Sequence, residues 1–389
     1  MHTSSQAQGP DLYDAVGGEP GCRRLAEAFY ARIPKDPVLR AVYPASSHCA
    51  VDALGAIFIQ LFGGPNAYSR QRFWLSLREA HARFRIGPIE REAWVRNMVA
   101  AVEDIDLAEP ARTELAAFFE RSSVYLVNHP ETAPRAAEMP TGSERGSAME
   151  GRWAAQQTLD EIVAAVRARK SERAIALAES ASLKAYLRDD RAAYASLLAV
   201  MGGSGISELI AYVRETLVRQ PDLLEERYWR GRTLLYSASA SASEAFVEML
   251  LGLGADPNAA DECGHTPLYG AGNEQGTAGI VRLLANAGAD VNAQDKIKRC
   301  TALHMAARRG NVPLAEALLN CGANIEVRDI NGETPLRRAV NCGKPHMARL
   351  LIERGADPDS RGSKGLTARQ AARSAAIQQL FAPLTSIKD

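Results

Sequence analysis

Gly288-Ala289-Asp290-Val291-Asn292, followed by Thr301-Ala302-Leu303-His304, decides how the C-terminal half of this 389-residue chain is read. Both signals recur. Starts of the second kind are Thr266-Pro267-Leu268-Tyr269, Thr334-Pro335-Leu336-Arg337 and Thr367-Ala368, with Thr233-Leu234-Leu235-Tyr236 in the same register. The threonines are 33, 35, 33 and 33 residues apart. Endings of the first kind are Gly254-Ala255-Asp256-Pro257-Asn258, Gly322-Ala323-Asn324-Ile325 and Gly355-Ala356-Asp357-Pro358-Asp359. Self-similarity at such a period means stacked units, none of which can bury its apolar face alone. Thr suits the N-cap of a first helix, and Pro its first turn. The Leu pairs at 283–284, 318–319 and 350–351 supply the buried face of a second helix. The following Gly ends that helix where φ > 0 is wanted, and the Asp/Asn-rich turn then projects as a finger.

This pattern resembles the ankyrin repeat. The resemblance implies an α-solenoid with short hairpin turns over 231–384, shortened at its C-terminal unit, which docks a protein partner. By repeat position, Tyr269, Asn273, Met305, Arg308, Arg337 and Asn341 are the contact candidates. Upstream, 158–230 keeps helical pairs such as Leu159–Val163 and Leu209–Val213 without the start motif. It reads as degenerate or capping repeats, since terminal repeats are atypical.

Before it, 129–151 is rich in Pro, Gly, Ser, Glu and Ala, and its apolar residues have no period. That composition predicts a flexible linker, placed at 129–157. The block before the linker, 11–128, has a different rhythm. Leu25, Phe29 and Ile33 share a helical face, as do Leu54, Phe58 and Leu61, and Trp94, Met98 and Val102. A last helix carries Leu115, Phe118 and Phe119. The period is that of amphipathic helices, and no segment alternates as a strand does. The whole chain is therefore expected to be all-α.

Within that block His81 stands in Leu77-Arg78-Glu79-Ala80-His81-Ala82-Arg83-Phe84-Arg85-Ile86-Gly87, with Trp94 thirteen residues on. Upstream come Leu12-Tyr13-Asp14-Ala15-Val16-Gly17-Gly18, Phe29-Tyr30, Tyr43-Pro44, Phe62-Gly63-Gly64-Pro65 and Tyr68-Ser69. In this order and spacing the set resembles the truncated haemoglobins, most closely the group II-like members that pair Trp with Tyr in the distal pocket. The resemblance implies a two-over-two helical sandwich around haem b (iron protoporphyrin IX). It makes His81 the proximal iron ligand, and Tyr30, Tyr43 and Trp94 the distal polar residues. Ala50 and Leu54 fall at distal-helix positions facing the iron, leaving no distal His or Gln. Arg78 and Tyr68 match propionate partners, and Phe84 and Met98 match apolar pocket positions. Two departures stand out: Phe73-Trp74-Leu75-Ser76-Leu77 replaces a more polar family segment, and Ala53 stands where many relatives carry a propionate-binding cation.

Lys+Arg and Asp+Glu are equal at 46 each, so no electrostatic push toward nucleic acid exists. The six cysteines, at 22, 49, 263, 300, 321 and 342, include no CxxC pair. They call for neither zinc nor a disulfide framework, which suits a reducing cytosol. No signal-like or membrane-spanning apolar run is present, so a cytoplasmic protein without membrane contact is expected. The favoured function is binding of O2, CO and NO with partner docking, as in a gas or redox sensor, rather than dedicated enzyme catalysis. The alternatives are a haem oxidoreductase (NO dioxygenase-like or peroxidase-like) localised by the repeats, and a haem-free repeat scaffold.

Overall fold

The computed structural model describes residues 12–43, 48–66, 81–82, 84–128, 144–274, 276–362 and 365–381. They form two compact units, Met1–Tyr194 and Ala195–Asp389. Among the described residues there is no strand, only an isolated bridge between Tyr228 and Arg232. The all-α expectation holds.

The first unit opens with α1 (Leu12–Val16) and α2 (Gly18–Arg32), followed by α3 (Pro37–Val42) and α4 (His48–Phe62). Next come α5 (Pro88–Asp104) and α6 (Ala111–Ser122). Helix α2 packs on α4 and on α5, and α5 packs on α6. Leu25, Phe29, Phe62, Met98 and Leu115 are fully buried between them. Gly64 lets the chain leave α4, because a Cβ there would lie 2.5 Å from the Tyr13 ring. Asp36 caps α3, accepting from the amides of Val38 and Leu39 at 2.9 and 3.1 Å. Its other carboxylate oxygen accepts from Arg96 and Asn97 of α5, both at 2.8 Å. Burial alone would raise this carboxyl, but the four donors hold it down at about 2. The α3–α5 tie is therefore complete at neutral pH and is lost only as pH falls toward that value.

The linker expectation fails over its second half. Helix α7 (Glu144–Arg167) starts inside the 129–157 stretch. Met149 and Trp153 of α7 are buried in the same core as α2, α4 and α6. Trp153 meets Phe118 and Tyr125 edge-on at 5.8 and 5.7 Å. Arg121 pairs with Glu150 at 3.0 Å, Arg152 donates to the Leu61 carbonyl at 3.0 Å, and Tyr125 donates to Asp160 at 2.8 Å. The apolar pair at i, i+4 gives this segment a place to pack, whatever its Gly/Ser content. Residues 129–143 lie outside the described set. Trp153→Ala is expected to cost about 3 kcal/mol, at the lower end for a buried Trp because its edge is 9% exposed. Amide exchange in α6 should accelerate to match; unchanged protection there would refute the packing role.

The 158–230 block is likewise not one array of repeats. Helices α8 (Ser171–Ala178) and α9 (Ala181–Asp189) pack on α7 in the first unit. The division falls within α10 (Arg191–Gly203), and α11 (Ser207–Arg219) belongs to the second unit.

The second unit then runs as helix pairs: α12 (Leu234–Ala240) with α13 (Glu244–Gly252), α14 (Pro267–Asn273) with α15 (Ala278–Asn286), and α16 (Ala302–Arg309) with α17 (Val312–Asn320). They continue as α18 (Pro335–Asn341) with α19 (Pro345–Glu353), and short α20 (Ala368–Ala371) with α21 (Ala375–Leu380). Each repeat threonine caps its helix as expected: Thr233, Thr266, Thr301, Thr334 and Thr367 accept from the amide three residues on. Gly254, Gly288, Gly322 and Gly355 all take φ near +90°. The turn asparagines also join neighbours. Asn258 donates to the Gly288 carbonyl at 3.0 Å and accepts from the Asp290 amide at 2.7 Å; Asn292 does the same with Gly322 and Asn324.

His304, fully buried in α16, makes the stack pH-sensitive. Its Nδ1 accepts from the Thr301 amide, which leaves Nε2–H to donate to the Glu333 carbonyl at 3.0 Å. Burial holds its pKa below the usual 6.5, since a charged ring would be desolvated. Below about pH 6.5 the unfolded chain takes a proton that the folded one refuses, so stability falls as pH falls. Urea midpoints at pH 7.5 and 5.5 should therefore diverge more for the native chain than for His304→Asn. Equal divergence would remove His304 as the cause.

Candidate functional site

The polar and aromatic residues of the first unit converge on one cleft. Leu39 and Val42 of α3, Tyr43, His81, Phe84, Ile86, Glu90, Arg91 and Trp94 of α5, and Ser123 and Leu126 line it. It encloses about 430 Å³ of atom-free space, part of it open to solvent. Four expected site residues meet here: His81, Phe84, Tyr43 and Trp94. The rings follow one another, His81 to Phe84 at 6.4 Å and Phe84 to Tyr43 at 6.1 Å, nearly parallel. Tyr30, on α2, stands edge-on to Tyr43 at 5.8 Å. Phe29 backs Tyr30, Tyr43 and Trp94, with ring centroids 5.4, 6.1 and 5.7 Å away.

The Trp94 indole lies beside the Tyr43 hydroxyl; indole can only donate, whereas the phenol can donate or accept. Burial pushes the Tyr43 phenol above its ordinary range; nearby Tyr30 adds to this, and the Trp94 indole offsets part of it. Burial takes Tyr30 to about 12. Both phenols are therefore neutral donors at physiological pH.

The other expected positions divide. Met98 is completely buried in the core and does not line the cleft. Ala50 and Leu54 are part-buried on α4, Leu54 against the core, and neither lines the cleft. Tyr68 and Arg78 lie outside the described residues.

Two residues escaped the sequence reading. Asn128 fixes the His81 turn: its side chain donates to the carbonyls of His81 and Phe84 at 3.2 and 2.8 Å and accepts from the Ile86 amide at 3.0 Å. Arg91 brings a cation to the cleft wall, donating to Ser123 at 2.9 Å and to the Glu120 carbonyl at 2.8 Å. Neither stands in a motif, and an Asn forty-seven residues from the His it holds leaves no local signal.

A family model described as bacterial-like globin matches residues 11–128. Ankyrin-repeat models match 230–262 and, as three copies, 268–362. The chain carries a bacterial-like globin domain followed by ankyrin repeats. A relative from Bacillus subtilis (strain 168), described as group 2 truncated hemoglobin YjbI, is 26% identical over 125 residues, 32% of this chain and 94% of its own length.

The globin family implies a haem, and the cleft's chemistry fits one. Among the described lining residues one imidazole, His81, meets apolar and aromatic walls, with the neutral Tyr43 phenol and the Arg91 cation. His81 would hold the iron, Leu39, Val42, Phe84 and Leu126 would cover the macrocycle, and Tyr43 would offer its hydroxyl to a bound guest. Iron held by one imidazole supplies an open position for a diatomic gas.

In the ankyrin unit, three of the expected partner contacts are not available. Tyr269, Met305 and Arg337 are 9%, 3% and 3% exposed. Tyr269 and Met305 form a buried cluster with Cys300, and Tyr269 stacks on His265 at 4.1 Å. Arg337 forks onto Glu333 at 2.9 and 3.2 Å and donates to the Leu366 carbonyl at 2.7 Å. The first helices are so short that these side chains reach the next repeat instead of solvent. Arg308 donates to Asn273, and Asn341, exposed, donates to Glu333 at 3.0 Å.

Asp261, Cys263 and His265 place three metal-type donor atoms within 4.8 Å. Asp261 is already engaged, by the Cys263 and His265 amides at 2.9 Å and by the His265 ring at 3.1 Å. Asp295 and Asp329 hold their fingers through amides in the same way, so the cluster is read as turn structure. Burial raises the Cys22 and Cys300 thiols to about 12 and 11, far from a reactive thiolate. Among the described residues no helix is long and apolar enough to cross a membrane.

Proposed function

We propose that the globin domain binds haem b through His81 and takes up O2, CO and NO, while the ankyrin unit docks a protein partner, so that the chain works as a gas or redox sensor. The convergence of His81, Phe84, Tyr43 and Trp94 on one cleft carries this reading. His81 is the imidazole of that lining, a nitrogen ligand for iron. Tyr43, beside the Trp94 indole, offers its hydroxyl to a polar guest, and Tyr30 stands beside it as a second donor. Hydrogen bonds of this kind favour O2, whose outer atom is negative when bound, over the less polar CO, by roughly 1–3 kcal/mol. Tyr43→Phe is therefore expected to speed O2 release by tenfold or more, on the order of 1.4 kcal/mol, and CO release much less. Tyr30→Phe should act in the same direction but more weakly. Stopped-flow displacement measures both; equal changes for the two gases would overturn the donor assignment.

A further inference from the structure

The finger 295–300, Asp-Lys-Ile-Lys-Arg-Cys, departs from its neighbours in three ways. Its repeat is the long one: the threonines that bracket it are 35 residues apart, against 33 elsewhere. Two residues before the capping threonine, the other repeats place Gly231, Gly264, Gly332 and Gly365, all at positive φ; this one places Arg299 at φ 54°. A side chain at this left-handed φ is strained where glycine would not be, so the finger bears strain to present a cation. Finally, Lys296, Ile297, Lys298 and Arg299 are all exposed, Ile297 by 57%.

Neighbouring fingers extend this surface. The Lys296 amide donates to the Cys263 carbonyl at 2.9 Å, and the Ile330 amide donates to the Lys298 carbonyl at 2.8 Å. Ile330 is 61% exposed and stands beside the lysines. Among the described residues neither Lys296 nor Lys298 pairs with a carboxylate, and Arg299 binds only the neutral Gln294 amide at 3.1 Å. The adjoining finger contributes Glu262, next to Arg230. Two bare isoleucines flanked by three unneutralised cations are complementary to a surface with the opposite charge and its own apolar groups.

We propose that the finger 295–300, with Ile330, is the docking strip for an acidic protein segment carrying apolar side chains. This rests on the reading that the ankyrin unit docks a partner, and names the chemistry of that partner. Carboxylates would engage Lys296, Lys298 and Arg299, and an apolar side chain would cover Ile297 and Ile330. Phosphate backbones would satisfy the cations but leave both isoleucines in water, so nucleic acid fits less well.

The test uses the full chain and a short fluorescein-labelled peptide alternating Glu and Leu, read by anisotropy at low and high salt. Controls are the same peptide with Gln for Glu, and unlabelled duplex DNA as competitor. The native chain should bind the Glu/Leu peptide in a salt-sensitive way. Lys296→Glu with Lys298→Glu should weaken binding roughly tenfold or more, Ile297→Ser with Ile330→Ser should weaken it independently of salt, and the Gln peptide should bind poorly. Because all four sites are exposed, the variants should keep the native circular dichroism. Undiminished binding by both variants would place docking elsewhere on the stack, overturning the strip but not the docking role. Equal binding of the Gln peptide, or efficient displacement by DNA, would also overturn it. No binding of the Glu/Leu peptide at low salt would overturn the strip, leaving the docking role to other faces of the stack.

Discussion

His81→Ala is expected to abolish stoichiometric haem retention. The other cleft-lining groups cannot take its place. Ligation by phenol oxygen needs phenolate, and burial keeps the Tyr43 phenol protonated well beyond physiological pH. Trp94 has no acceptor nitrogen. Glu90 is engaged, its carboxylate accepting from the Gly87 amide at 2.8 Å at the start of α5. The variant should fold, since His81 is only part-buried, and its backbone carbonyl still receives the Asn128 side chain. Haem content is read as the pyridine haemochrome per chain. Full occupancy in the variant would refute the ligand assignment, and recovery on adding free imidazole would localise the defect to the missing ring.

The second large effect concerns the ankyrin unit. Arg337→Ala is expected to cost about 3–5 kcal/mol, because it leaves a buried carboxylate without its ion-pair partner. Among the described residues Glu333 would lose both guanidinium bonds and keep only the Asn341 donor, while the Leu366 carbonyl would lose its contact with the guanidinium. The short C-terminal helices α20 and α21 should loosen first. Adding Glu333→Gln should recover part of the loss by removing the stranded charge. Urea unfolding followed by circular dichroism checks this. A loss below about 1 kcal/mol would show that the pair is solvated rather than buried. Haem content should not change in this variant.

The repeats were readable because their boundaries are written in residues with local consequences. Thr301 caps a helix, Gly288 turns a chain, and both act within one turn of where they stand. The cleft was readable differently, through an ordered set of aromatic residues around His81 that composition alone would have assigned to a core. What escaped were contacts made across the chain. Asn128 reaches back to His81, and Arg337 turns into the next repeat rather than toward solvent. Met98 fits a helical face equally well in a pocket or in a core, and packing put it in the core. The 129–157 segment was misjudged because its Gly and Ser outweighed Met149 and Trp153. That apolar pair, continued by Leu159, Ile162, Val163 and Val166, was the available signal for α7.

The globin match ends at 128, but the compact unit that contains it continues through α7 to α9. A fragment stopping at 128 would bare the faces of Phe118 and Tyr125 that Trp153 covers. A boundary beyond α9 keeps them covered, along with the bonds that Gln60 donates to Tyr186 and Asp190 at 2.7 and 2.9 Å.

The most direct test of the central claim is the absorption spectrum of the full chain after incubation with haemin, recorded oxidised, reduced, and reduced under CO. A cleft that holds haem through His81 predicts a strong Soret band that shifts on reduction and again with CO. The absence of a protein-bound Soret band after haemin is added would contradict it, leaving a globin-shaped domain that binds no haem.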